Sequence, residues 1–265
     1  MTLEQKIKTK IKEYGPISFS EFMQFALYDE TEGFYAHGGA GRKKDFITSP
    51  EVGPLFGKLI SKAIDKCWVE FGQPSHFTFL ECGAGPGTLA KSILRSQMKC
   101  KGALKYIAVE TSSQQNQSHP PEVKTLSTMP KEIEIGIIFA NELLDNLPFD
   151  IFESQNDGSW MEVKITVDDE RISETLITNN ESAPPYILET PNVRVPVQRE
   201  AQKWLKDASE ILHNGRIIAI DYAVESFRSQ QKQHWLRTYQ QHELNTQPLK
   251  NIGQSDITTD VDISQ

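Results

Sequence analysis

The 265-residue chain carries 28 basic against 36 acidic side chains, a formal net charge of −8, so it lacks the clustered Lys and Arg that a broad nucleic-acid footprint needs; the run Arg42-Lys43-Lys44 is too short to supply one. Hydrophobic residues at 38% and charged residues at 24% are the balance of a packed globular chain rather than a disordered one. No apolar run approaches the roughly 18 residues of a spanning helix, and Cys67, Cys82 and Cys100 form no CxxC pair, which suits reduced thiols.

The N-terminal stretch predicts a helix over Thr2–Tyr14, with Leu3, Ile7 and Ile11 at helical spacing and a stop at Gly15-Pro16. It has neither the apolar core of a signal peptide nor the arginines of a transit peptide, so a cytoplasmic protein is expected. A second helix is capped by Ser18 or Ser20 and turns Phe22, Phe25 and Ala26 inward. The glycine-rich stretch 33–51 reads as a loop. A third helix, Leu55–Phe71, carries apolar residues at 55, 56, 59, 60, 63, 64 and 67, a wide buried face.

From residue 77 the period changes. HFTFLE, KYIAVE, the short EVKTL, EIGIIFANE and RIIAIDY read as strands, with helices in TLAKSILRSQ and EAQKWLKDASEILHNG. That alternation implies a parallel sheet covered on both faces. Residues 149–180 differ: FDIFESQ, WMEVKITVD and ERISETLIT, turned at Asn156-Asp157-Gly158, read as an antiparallel insertion. The tail from Ala223 is polar and Gln-rich, anchored by Trp235 and Tyr239. The expected organisation is therefore a helical cover with an active-site loop over 1–75 and an α/β domain over 76–265, interrupted by the β insertion at about 149–180.

The stretch FLECGAGPGTLAKSIL, Phe79–Leu94, turns from strand to helix through Gly83, Gly85 and Gly87. Glycine brings bare backbone to a ligand, and the helix start adds N–H groups. A dinucleotide fingerprint would put Gly or Ala where Thr88 stands, and a phosphate-binding P-loop would end in Gly-Lys-Ser/Thr. Glu81, just before the turn, would repel a pyrophosphate but suits the sulfonium and ammonium of S-adenosylmethionine. Glu110, ending the next strand, is placed to accept hydrogen bonds from ribose hydroxyls. The fourth strand ends in NELLDNLP. Asn141 and Glu142 would stand beside a transferred methyl group, and Glu142 with Asp145, three apart, could share a helical face and orient a guanidinium.

Metal hydrolysis fits poorly, because the histidines 37, 76, 119, 213, 234 and 242 are scattered without an HExxH pattern and read as surface or packing residues. A serine hydrolase would need serine where Pro86 stands.

The segments ISFSEFMQFALYDETEGFY, DFITSPEVGPLFGKLI, FLECGAGPGTLAKSIL, FANELLDNLPFD, the IDY strand end and GQSDITTDVDIS together resemble the MidA-like family of S-adenosylmethionine-dependent methyltransferases. Its mitochondrial members are complex I assembly factors that methylate protein arginine. The resemblance implies a Rossmann-like class I methyltransferase sheet with a helical N-terminal region and a β-hairpin insertion. It implies S-adenosylmethionine lined by Glu81, Gly83, Ala84, Gly85 and Gly87, with Glu110 on the ribose. Asn141, Glu142 and Asp145 would form the transfer site, and Asp45 and Glu51 would contact the substrate from a loop folded over it. The implied partner is a protein substrate such as a respiratory-complex subunit, in the mitochondrial matrix if the protein is processed and eukaryotic, and a homodimer is allowed. Two departures stand out: Ala223 stands where a glycine is usual, and the family continues beyond DITTDVDIS, so that one sheet edge is expected to be missing or replaced if 265 is the natural end. A non-catalytic assembly factor on the same fold and a small-molecule N- or O-methyltransferase are the alternatives.

Overall fold

The structure, a computed structural model, describes residues 1–37, 53–228, 235–240 and 243–265. In chain order the elements are α1 (Leu3–Tyr14), β1 (Ile17–Ser18), α2 (Phe19–Tyr28), a 3-10 turn (Phe34–His37), α3 (Pro54–Glu70), β2 (Phe77–Cys82), α4 (Thr88–Arg95), β3 (Leu104–Val109), α5 (Ser113–Asn116), β4 (Lys124–Leu126) and β5 (Gly136–Asn141). They continue with β6 (Asp150–Ser154), β7 (Trp160–Asp168), β8 (Arg171–Thr178), β9 (Arg194–Val197), α6 (Arg199–Ile211), β10 (Gly215–Ile220), β11 (Ala223–Val224), β12 (Arg237–Gln240), β13 (Glu243–Asn245), β14 (Asp256–Thr258) and β15 (Val261–Asp262). The chain divides into two compact units, one of residues 1–37, 145–203 and 222–265, the other of 38–144 and 204–221. This division differs from the expected 1–75 and 76–265 partition, because α3 packs into the core of the parallel sheet while α1 and α2 pack on β7.

The first unit is built on an antiparallel sheet in the order β1-β7-β6-β9, with β8 also paired to β7. Thr2 and Ser18 each form a reciprocal capping box, with Gln5 and Glu21, and so start α1 and α2. Leu3, Ile7 and Ile11 are buried as their spacing requires, and Gly15, at φ 83°, ends α1. The insertion is larger than 149–180: β1 and β9 also join its sheet. Both are short, and β9 carries Pro196, which an edge strand tolerates. Trp235 anchors the tail as expected, its ring edge-on to Phe149 at 6.1 Å and to Phe227 at 5.8 Å. The tail also forms the antiparallel set β13-β12-β14 and the parallel pair β11-β15, which the polar, Gln-rich composition conceals.

The second unit holds a wholly parallel five-stranded sheet in the order β10-β5-β2-β3-β4. Residues alternate between its faces. Phe77, Phe79, Ile137 and Phe139 meet α3 and α4 through Ile60, Ile64, Leu89 and Ile93. Leu80, Cys82 and Ile138 meet Trp204, Ala208 and Ile211 of α6. The expected apolar face of α3 is corrected: Leu55 is 67% and Leu59 59% exposed. The buried stripe runs instead through Gly57, Ile60, Ser61, Ile64 and Cys67. The cause is a close helix crossing, for a Cβ on Gly57 would lie 2.1 Å from Ser92 Oγ of α4. Among the described residues no strand pairs with the outer side of β10.

Candidate active site

The site elements of the second unit cluster at the carboxyl ends of the parallel strands, where open α/β sheets place their ligands. β2 leads into a turn in which Gly83, Gly85 and Gly87 all take left-handed conformations, φ 68°, 53° and 71°. The N–H groups of Gly83 and Ala84 both donate to the Val109 carbonyl, at 3.0 and 3.2 Å, which ties the turn to the end of β3. No side chain caps the start of α4. Space beside the glycines is short: a Cβ on Gly83 would lie 3.1 Å from Leu143, and one on Gly85 3.3 Å from Gln115 Oε1.

Glu110 sits against this turn. Its Oε2 accepts the Gly85 N–H and its Oε1 the Ser112 N–H, both at 2.8 Å. Burial raises its pKa, against the opposing pull of those N–H donors and of the His119 ring. The Thr111 N–H pulls on it as well, so of the carboxylate's roughly four acceptor positions about one is left for a further hydroxyl donor. Glu81 is also buried, and its Oε2 accepts the Tyr106 hydroxyl at 2.6 Å. Burial pushes its pKa up to about 7, Glu110 adds to the rise, and the Tyr106 bond opposes it. Half of the carboxyl is thus committed to β3, a tether that sequence reasoning missed. Cys82, between Glu81 and the turn, is pushed up to about 12 by burial and by Glu81, which rules it out as a nucleophile near neutral pH.

β5 ends in Asn141 and Glu142. Asn141 Nδ2 donates to Glu142 Oε1 at 3.1 Å, while the buried Asn141 Oδ1 has no hydrogen-bond partner among the described residues. Glu142 takes a left-handed φ of 51°, and its N–H donates to the Ile220 carbonyl at 2.9 Å. That conformation ends any helix there, so Glu142 and Asp145 lie in a turn and do not share a helical face. Asp221, at the IDY strand end, supports the turn by accepting the Leu144 N–H at 2.9 Å. Asp221, Tyr106, Gln115 and His119 are all site neighbours to which the sequence alone gives no role.

Asp145 belongs to the first unit, where it is buried and its carbonyl accepts the Thr259 N–H at 2.8 Å. Its neighbour Asn146 donates from Nδ2 to the Tyr35 hydroxyl at 2.6 Å, and Tyr35 donates to Asp256 at 3.0 Å. The DITTDVDIS segment thus holds the first residues after the turn in a buried polar network. Asp45 and Glu51 lie outside the described residues. Among the described residues no cluster of three or more His, Cys, Asp or Glu could hold a metal, and no helix is long and apolar enough to cross a membrane.

Residues 59–265 match the family model described as "Putative S-adenosyl-L-methionine-dependent methyltransferase". The chain is 26% identical over 305 residues to the mitochondrial protein arginine methyltransferase NDUFAF7 homolog of Drosophila melanogaster, covering 98% of this chain and 68% of that one. It is 28% identical over 295 residues to the mitochondrial protein arginine methyltransferase NDUFAF7 of Homo sapiens, covering 96% and 66%. The chain therefore spans about two thirds of the length of these curated relatives. In structure it is similar to a COG1565 superfamily member from Burkholderia thailandensis bound to S-adenosyl-homocysteine, with a TM-score of 0.83 at 24% identity over 99% of this chain and 73% of that one.

Proposed function

This chain belongs to the family of S-adenosyl-L-methionine-dependent methyltransferases, and from that premise we propose that it methylates an arginine nitrogen of a partner protein. The observation that carries the reading is the Asn141–Glu142 pair, a carboxylate in a strained backbone conformation at the strand end next to the glycine turn's own strand. Strain of this kind costs on the order of 1–3 kcal/mol and persists where the surroundings impose it, as at active sites. The curated relatives named as protein arginine methyltransferases support the choice of acceptor, and their mitochondrial names favour the matrix over the cytoplasm. A respiratory-complex subunit is the proposed class of partner.

The residues present fit the family's cofactor. The three left-handed glycines keep Cβ atoms out of the turn, Glu110 has acceptor capacity left for a ribose hydroxyl, and Glu81 offers negative charge to a cation. When bound, S-adenosylmethionine supplies an electrophilic methyl group on a positively charged sulfur. Glu142 would accept guanidinium N–H donors, orient the attacking nitrogen and offset the charge that grows on it, while Asn141 Oδ1 accepts a further donor.

Two outcomes follow. Glu142→Gln lowers kcat by about 100-fold while cofactor affinity stays within about threefold, since orientation and charge are lost only at the transfer step. Glu142→Gly abolishes activity to a similar degree yet does not lower the melting temperature, because glycine takes φ 51° without strain. Cofactor affinity also depends on pH through Glu81. Its raised pKa means the folded apoprotein holds a proton that the unfolded chain releases between about 4.5 and about 7. The stability this group contributes is full below that window and is lost as pH rises through it. A cationic ligand selects the carboxylate, so calorimetric affinity rises as pH increases toward about 7 and levels off above it. Glu81→Gln flattens that profile.

The test of the proposed activity is transfer of labelled methyl from S-adenosylmethionine to protein substrates, with the modified residue located by mass spectrometry. Methylarginine supports the reading. Label confined to lysine, carboxyl groups or small molecules refutes the arginine acceptor.

A further inference from the structure

We propose that His119 is a positioning residue for the cofactor turn, fixing the Gly85 peptide from behind and thereby setting the affinity for the nucleoside. The inference rests on the S-adenosylmethionine reading above. His119 Nε2 lies 2.8 Å from the Gly85 carbonyl oxygen, and Nδ1 lies 2.8 Å from Thr125 Oγ1. A carbonyl can only accept, so Nε2 carries the proton and donates to it. In the neutral ring Nδ1 then accepts the Thr125 hydroxyl, which fixes one tautomer. The ring is therefore a strut between β4, where Thr125 sits, and the middle glycine of the turn.

The two polar groups of Gly85 are both held by side chains. Its N–H goes to Glu110 Oε2 and its C=O to His119 Nε2. Glycine has the widest conformational freedom of any residue, so without these bonds the peptide would be free to leave its left-handed setting. A ligand would then have to order it, at a cost in affinity. The ring also occupies the space beside Gly87, where a Cβ would fall 2.8 Å from His119 Cδ2. His119 is only half-buried and lies outside the two hydrophobic clusters of the sheet. Its loss should therefore act on the turn far more than on the fold.

Glutamine is the diagnostic replacement, because its Nε2 is as many bonds from Cα as the imidazole Nε2 and can donate to the same carbonyl. S-adenosylhomocysteine is titrated calorimetrically into wild type, His119→Ala, His119→Gln and Thr125→Val, with melting temperatures recorded for each. We expect His119→Ala to bind about tenfold more weakly, as for the loss of one structured hydrogen bond, with a melting temperature within about 3 °C of wild type. His119→Gln should return to within about threefold of wild type, and Thr125→Val should fall between. Nitrogen-15 spectra of the wild-type ring should show the proton on Nε2. Unchanged affinity in His119→Ala overturns the inference, as does a His119→Gln protein that binds as weakly as His119→Ala. A folded wild type that binds no S-adenosylhomocysteine refutes the cofactor reading itself, and the inference with it.

Discussion

Replacing Gly85 with valine is expected to remove saturable cofactor binding, a loss of at least about 100-fold, while the parallel sheet stays folded. Gly85 sits at φ 53°, a region that costs an L-residue about 1–2 kcal/mol and a β-branched one more. Its Cβ would also lie 3.3 Å from Gln115 Oε1, and the two valine methyls beyond it crowd that side chain further. The backbone is then expected to turn away, which breaks the Gly85–Glu110 bond and moves the carboxylate proposed to hold the ribose. The hydrophobic clusters that hold the sheet contain no atom of Gly85. Circular dichroism should show wild-type secondary structure, and calorimetry no heat of binding. Retained binding would mean that the turn does not contact the cofactor.

The second large effect falls on the fold. Gly136→Ala should lower the melting temperature by about 10 °C or more, or prevent soluble expression. Gly136 opens β5, the strand between β10 and β2, and pairs with Thr78 and Gly215. A Cβ there would lie 2.0 Å from the Thr78 carbonyl oxygen, and one on Gly215 would lie 2.0 Å from the Gly136 carbonyl oxygen. Both obstacles are backbone in the middle of the sheet, so no side-chain rotation relieves them. The parallel register Phe79↔Ile137 and Ile138↔Ile217 would have to shift. A thermal melt within about 2 °C of wild type contradicts this packing.

Much of the parallel sheet was legible because its signals are local. IGIIFA and RIIAI are near-continuous apolar runs, the pattern of strands buried on both faces. They became β5, which is buried, and β10, which among the described residues ends the sheet with Ala219 and Ile220 exposed and so is not the centrally buried strand its composition suggests. The glycine turn was legible because alternate glycines after an acid leave few local alternatives. Elements fixed by distant partners were not. β1 is two residues long and exists because Ile17 and Ser18 meet Ile165 and Lys164 of β7, a pairing that no window of the sequence contains. The exposure of Leu55 and Leu59 follows from the approach of Gly57 to Ser92, again a tertiary fact.

The site divides in the same way. Glu110 beside Gly85 follows from strand order, since both close neighbouring parallel strands. The Tyr106 tether on Glu81 was hidden, because Tyr106 reads as one more apolar strand residue and the bond crosses from β3 to β2. The Glu142–Asp145 helix failed for a local reason. Three-residue spacing suggests a helical face only if the backbone is right-handed, and Glu142 is not.

The proposed chemistry depends most on S-adenosylmethionine binding at the turn against Glu110. The measurement that tests it most directly is a calorimetric titration of the cofactor into the wild type beside Glu110→Ala. Saturable binding of one cofactor per chain is expected in the wild type, weakened at least about tenfold in the variant through loss of the carboxylate acceptor. A folded wild type without binding, or a variant that binds as tightly as the wild type, contradicts it.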